Sequence, residues 1–295
     1  MSEQGARAAR FSQWLRLAAR IATPENTRSL PLKLDTVKSV DQDSGCVSET
    51  REHYRLALEE SGLPLHHFAT RRELLSVLID AVEAHRRMYN RLGVLHRDIS
   101  VRNVMILDGE DTKAENERER PGRLIDFDYG KTMSQSTEND PGEHKNHHSG
   151  TLPFMSVHLL ANETTIEHEV HHDLESFFYV LIWACIAFQG PGLYREPFDA
   201  LKTPLKKWLV GDDDRDVAEA KMVQMVRSVA FERLLKNFHP YFDPLKPTIK
   251  ALRTALKVHT WFAEKPEKPT YDEFLEALKS GRDALPLVDD PPPVS

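Results

Sequence analysis

Gly93 to Ile106 reads GVLHRDISVRNVMI, a loop rich in polar groups between two short apolar runs. Its flanks look buried, yet the loop between them carries an acid, an amide and two arginines. Upstream, RRELLSVLIDAVEAHRRMYNRLG places Leu74, Leu75, Leu78, Ile79, Val82 and Met88 on one helical stripe. That spacing predicts a long core helix from Thr70 that ends at Gly93. Downstream, VMIL (104–107) and RLID (123–126) read as two short strands around DGEDTKAENERERPG, whose charge makes it a solvated tip. Helix, polar loop and hairpin in that order bring the loop HRDISVRN against the strand end at Asp126. A carboxylate at Asp98 can take a proton from a hydroxyl nucleophile. Asn103 and Asp126 supply hard oxygen ligands suited to magnesium and to substrate phosphates. The residue types therefore point to phosphoryl transfer.

The remaining composition bounds this reading. With 295 residues, 40% of them hydrophobic, the chain buries a sizeable core, and 46 acidic against 39 basic residues give a net charge of −7. No dense Lys/Arg block tracks a phosphate backbone, so no nucleic-acid partner is expected. Two cysteines, Cys46 and Cys185, are too few for a disulfide framework and fit a reducing, intracellular setting, cytoplasmic or nuclear. The start, MSEQGARAARFSQWLRLAARIA, reads as an amphipathic helix rather than a secretory signal. The run FFYVLIWACIAF (177–188) is shorter than the ~20 residues that span a bilayer and reads as a buried helix, so no membrane partner is expected.

PLKLDTVKSV (31–40) and EHYRLALEE (52–60) alternate as strands do, which predicts a small sheet. Residues 132–149 are polar and His-rich, a surface loop. Beyond them apolar residues recur at helical spacing in AEAKMVQMVRSVAFERLLKNF, TIKALRTALKVHTWF and TYDEFLEALKSG, and the Pro-rich end reads as disordered. The fold class expected is α+β, mainly helical with a small β portion.

His96-Arg97-Asp98 followed by Asn103 resembles the catalytic loop of protein kinases, and Asp126-Phe127-Asp128 resembles their metal-binding element with Asp in place of Gly. Six blocks in order, REHYRLALEESGLPLHHF, RRELLSVLIDAVEAHRRMY, GVLHRDIS, LIDFDYGK, GTLPFMS and DLESFFYVLIWAC, are similar to the fungal-type protein kinase family, from about Arg51 to beyond Trp208.

The resemblance implies a protein kinase-like fold, ATP and Mg as cofactors, and a protein Ser/Thr or Tyr hydroxyl as acceptor. It implies Asp98 as catalytic base and Asn103 and Asp126 as metal ligands. Glu59, Glu60 and Ser61 would form the linker on which adenine rests, with Met105 close by. Arg102, four positions after Asp98, would clamp phosphate where many relatives carry a Lys at the position of Ser100. Gly150 to Met155 would dock the substrate-side segment, and Asp173 would hold the catalytic-loop backbone. His158 stands where the family usually has a Glu.

No GxGxxG precedes the catalytic loop, and Lys33 and Lys38 are only nominal candidates for the phosphate-binding strand Lys. The chain is therefore expected to divide into a stub of the small lobe (1–50), a kinase-like large lobe (51–282) and a disordered tail (283–295). The upper face of such a lobe would favour self-association or a partner. The alternative function is a catalytically impaired relative acting as a binding module.

A competing motif is present. His168-Glu169-Val170-His171-His172 satisfies HExxH, in which two His one helical turn apart hold zinc and the Glu activates water. Its polar context and the lack of a third ligand at a recognisable spacing weigh against a zinc hydrolase, and the sequence predicts no stoichiometric zinc. Glu143, His144, His147 and His148 read as a solvated loop. His96 reads as a satisfied core histidine; Arg97 reads equally as an arginine paired with a loop carboxylate or as one making a regulatory contact.

Overall fold

A computed structural model of the chain describes residues 34–36, 54–56, 62–107, 119–132, 150–161, 166–196, 198–211, 213–261 and 263–289. Contacts divide the chain into two units, Met1–Ser61 and Gly62–Ser295. In the first, β1 (Leu34–Thr36) pairs antiparallel with β2 (Tyr54–Leu56), Leu34 opposite Leu56. Each strand falls inside a segment whose alternation predicts one. The expected N-terminal helix, Lys33, Lys38 and the linker residues Glu59, Glu60 and Ser61 lie outside the described residues.

In the second unit, β3 (Gly62–Pro64) leads into α1 (Arg71–Leu92). The Thr70 side chain accepts from Glu73 N at 3.0 Å and fixes the start of α1. The helix ends where Gly93 turns left-handed at φ 63°, its N–H returning to the Tyr89 carbonyl at 2.8 Å. Leu74, Leu75, Leu78, Val82 and Met88 are buried, as the stripe predicts. β4 (Val94–Leu95) follows and pairs with β7 (Lys131–Thr132); between them β5 (Val104–Leu107) and β6 (Gly122–Leu124) form the expected hairpin. β3 joins that hairpin with Pro64 opposite Met105, giving the order β3-β5-β6.

The hairpin seats directly on α1. Gly122 N donates to Asp80 Oδ2 at 2.9 Å. A Cβ on Gly122 would stand 2.2 Å from the Val77 carbonyl oxygen, so only glycine permits this approach. Glu73 accepts from Arg120 Nε and Nη2, each at 2.9 Å, and from Arg120 N at 3.1 Å. One carboxylate at the first turn of α1 thus anchors the strand entering β6.

The rest is helical: α2 (Val157–Ala161), α3 (Val170–Ala187), the short pair β8 (Phe188–Gly190) and β9 (Leu193–Tyr194), then α4 (Lys206–Leu209), α5 (Asp214–Val226), α6 (Ser228–Leu235), α7 (Lys246–Ala255) and α8 (Tyr271–Asp283). α3 is apolar nearly all round and buried along most of its length, which makes it the axis of the core. Cys185 is a free thiol within it. α8 packs on α1 and α7, and α2 packs on α5. No helix of the described residues is long and apolar enough to cross a membrane.

Two stretches add detail to the sequence reading. The run 218–238 forms two helices, broken at Arg227 (φ −79°, ψ 116°). The Arg253 guanidinium crosses from α7 to accept the role of C-cap, donating to the carbonyls of Met225 at 2.5 Å and Val226 at 2.8 Å, so these oxygens need no further helical turn. Of the expected tail, 283–295, the structure describes residues as far as Asp289. Leu285 is buried, and Asp289 pairs with Arg71 at 3.0 Å and accepts from the Tyr241 hydroxyl. These bonds tie Asp289 to the start of α1 and to Tyr241.

Candidate active site

The loop after β4 owes its shape to one buried carboxylate. Asp173, in the first turn of α3, accepts at Oδ2 from His96 N (3.0 Å) and Arg97 N (3.3 Å), and from His85 Nε2 at 2.7 Å. Its Oδ1 accepts from His168 Nε2 at 2.8 Å. Burial alone would raise the Asp173 pKa; the neighbouring His168 and His85 outweigh it and hold the carboxyl well below its ordinary value. His85 Nδ1 in turn lies 2.6 Å from the Tyr271 hydroxyl. The backbone of the loop at His96 and Arg97 is thus tied through Asp173 to α1, α3 and α8.

His96 is the satisfied core histidine expected. It is fully buried, its Nε2 bonds the Ile125 carbonyl at 2.9 Å, and its Nδ1 accepts from Asp98 N at 3.3 Å. Burial holds its pKa below the ordinary histidine value. The Arg97 Nε is buried and meets no acceptor among the described residues. Burial also lowers its pKa, against the pull of Asp173.

Arg97 (φ 69°) and Asp126 (φ 64°) both sit in the left-handed region, which costs a non-glycine residue on the order of 1–3 kcal/mol. Two such residues flank the same site. There the Ile125 N–H donates to the Asn103 carbonyl at 2.9 Å, which sets the turn 101–103 beside the end of β6.

Within the site, Asn103 Nδ2 donates to the Asp98 carbonyl at 2.7 Å and approaches Asp98 Oδ2 at 3.3 Å. That use of the amide nitrogen leaves the amide oxygen as its ligand atom. Asp126 is exposed. Asp128 nearby has its pKa raised, by partial burial first and by the Asp126 charge second. The Asp126 carboxylate and the Asn103 amide oxygen, both hard donors, are of the kind that suits a magnesium ion carrying phosphates.

On the opposite side of Asp98, its Oδ1 accepts two bonds from one residue, Thr151 N and Thr151 Oγ1, each at 2.8 Å. Thr151 opens the segment Gly150–Ser156, so this segment meets the candidate base directly. Met105 lies half-buried on β5, its side chain against Gly62. Arg102 is exposed on the turn and makes no ion pair among the described residues.

Sequence reasoning missed the residue that fixes that segment. Lys221 on α5 is fully buried, and its Nζ donates to the carbonyls of Pro153 (3.0 Å) and Met155 (2.5 Å). It stands 3.8 Å from the centre of the Tyr179 ring and 5.3 Å from that of Trp208. Glu175 on α3 takes the next backbone group, accepting from Val157 N at 2.8 Å and from the Tyr179 hydroxyl. Burial pushes Lys221 down to about 7 and Glu175 up to about 7. A signal existed, since Lys221 lies on the stripe Val217, Ala218, Met225 that α5 buries.

The HExxH reading fails on geometry. α3 begins at Val170, so His168 and Glu169 precede the helix, and His168 is spent on Asp173.

A family model described as fungal protein kinase matches residues 3–185 of the chain. No curated protein matches it.

Proposed function

The chain belongs to the fungal protein kinase family, and from that premise we propose that it transfers the γ-phosphoryl group of ATP to a hydroxyl of a protein substrate, with Asp98 as base and Asn103 and Asp126 as magnesium ligands. The observation that carries this reading is the pair of bonds from Thr151 to Asp98 Oδ1. They orient the carboxylate toward the segment against which an acceptor peptide would lie. In the transfer, the acceptor hydroxyl gives its proton to Asp98 while its oxygen bonds to the γ-phosphorus. The bond from that phosphorus to the β,γ-bridging oxygen breaks, and ADP leaves. Magnesium, when bound, supplies neutralisation of the phosphate charge. Arg102, exposed on the same turn, is free to meet phosphate as a bidentate donor, and Met105 would contact the base. Labelled ATP with magnesium and a peptide library tests the reading: Asp98→Asn should lower transfer at least ~10²-fold. Transfer that is unchanged in that variant would place the chemistry elsewhere.

A further inference from the structure

His158, at the second residue of α2, and His171 and His172, in the first turn of α3, offer ring nitrogens that all lie within 4.8 Å of one another. All three line a cavity of about 220 Å³, together with Trp261, Leu256 and the carboxylates of Glu169, Glu175 and Glu267. Lys268 is the one cation of that lining, and its Nζ is held by Glu169 at 2.6 and 2.8 Å. His172 is 1% exposed, and its Nε2 is buried with no partner among the described residues. We propose that His158, His171 and His172 bind a divalent transition metal of the zinc class, with three imidazole nitrogens and one position left for water.

The ligand chemistry selects the ion. Three imidazoles suit Zn²⁺, Co²⁺, Ni²⁺ or Cu²⁺ and not magnesium, which takes oxygen. Neutral imidazole is the form that coordinates, and burial disfavours the charged form of each ring. The His171 Nδ1 lies 3.7 Å from Glu169 Oε2, a carboxylate that favours the proton at Nδ1 and leaves Nε2 its lone pair. Nitrogens around tetrahedral zinc stand about 3.4 Å apart, given bonds of about 2.0–2.1 Å. The rings must therefore close by about 1.4 Å or less, and His158 and His171, both only half-buried beside the cavity, can turn to do so.

Coordination has one internal consequence. His172 Nδ1 accepts from Glu169 N at 2.9 Å, so the neutral ring carries its proton on Nε2. A metal at Nε2 moves that proton to Nδ1 and releases this single helix-capping bond. His158 lies two residues beyond the segment 150–156, so the ion would tie the exit of that segment to the central helix. The site stands on its own residues and holds whether or not the chain transfers phosphate.

The full chain, stripped with a chelator, is titrated with Zn²⁺ by calorimetry and with Co²⁺ by visible absorption. The expected result is one ion per chain with Kd below about 1 µM, and the intense visible bands of four-coordinate Co²⁺. His158→Ala and His171→Ala, at half-buried positions, should each weaken Zn²⁺ at least ~10-fold, with unchanged circular dichroism of the metal-free variants. Replacing His144, His147 and His148 together by Ala should leave binding as it was. Zn²⁺ binding weaker than about 100 µM overturns the proposal. So does tight binding that survives both single substitutions, or that vanishes with the loop histidines.

Discussion

Lys221 donates its buried ammonium to the carbonyl of Pro153 at 3.0 Å, so a single side chain of α5 fixes the backbone of the segment that meets Asp98. His158 occupies the position where the family usually has a Glu, and this segment is nonetheless held from two sides, by Lys221 at Pro153 and Met155 and by Glu175 at Val157. Lys221→Met keeps most of the volume but strands two carbonyl oxygens in a dry site. Each unsatisfied buried acceptor costs ~1–3 kcal/mol, so we expect a loss of ~2–4 kcal/mol by chemical denaturation. If the chain transfers phosphate, KM for peptide should also rise more than kcat falls. Wild-type stability in Lys221→Met would mean that these bonds contribute nothing net.

Gly122 and the Val77 carbonyl meet at a distance that excludes any side chain. Gly122→Ala would drive a Cβ to 2.2 Å from that oxygen and to 2.7 Å from Val77 Cα. Backbone cannot yield as a flexible side chain does, so the hairpin must lift from α1. Overpacking of this kind costs ~1–3 kcal/mol or more. A urea midpoint equal to that of the native chain would show that the hairpin shifts freely on its helix.

The long helix, the hairpin and the apolar core helix were legible because each writes a local signal: the stripe from Leu74 to Met88, the Gly93 stop, the short apolar runs at 104–107 and 123–126. Asp98, Asn103 and Asp126 were legible as candidates, as residue types at motif spacing. What the sequence hides is joining over distance. Asp173 gathers His85, 88 residues upstream, and the His158–His171–His172 cluster assembles only because α2 folds onto the start of α3. Arg253 ends α5 from 27 residues away, a contact no window of periodicity can register. Lys221 was the exception, a charge written on a buried stripe and readable as an anomaly.

The Glu73–Arg120 pair should make part of the stability acid-sensitive. Burial alone would raise the Glu73 pKa, but the hydrogen bonds and charge of Arg120 overcome it and leave the value below the ordinary 4.5. The folded chain therefore binds this proton less readily than the unfolded chain does. Stability from the pair is complete above about pH 5, and it is lost as the pH falls through the folded-state value. Comparing urea unfolding of the native chain and Glu73→Gln between about pH 3 and pH 7 should show a constant gap at the upper end that closes toward the lower. A gap that is independent of pH would mean Glu73 is not ionised in the fold, or is not stabilised by Arg120.

Thr151 and Asp98 offer the most direct test of how the proposed base is aimed. Thr151→Val retains shape and the backbone N–H at 2.8 Å but removes the hydroxyl donor to Asp98 Oδ1. The carboxylate then keeps one of its two bonds from this segment and can rotate away from an incoming hydroxyl. A hydrogen bond to a charged acceptor is worth ~1.5–3 kcal/mol. If about half of that is felt in the transition state, kcat should fall about tenfold, since 1.4 kcal/mol is a factor of ten. Thr151→Ser, which restores the donor without the methyl group, should recover most of the rate. Stability should change little in either variant, because Asp98 is only part-buried and water can replace the lost donor. Steady-state transfer with labelled ATP decides the matter. Equal kcat in Thr151→Val and the native chain would mean that the backbone N–H alone positions Asp98.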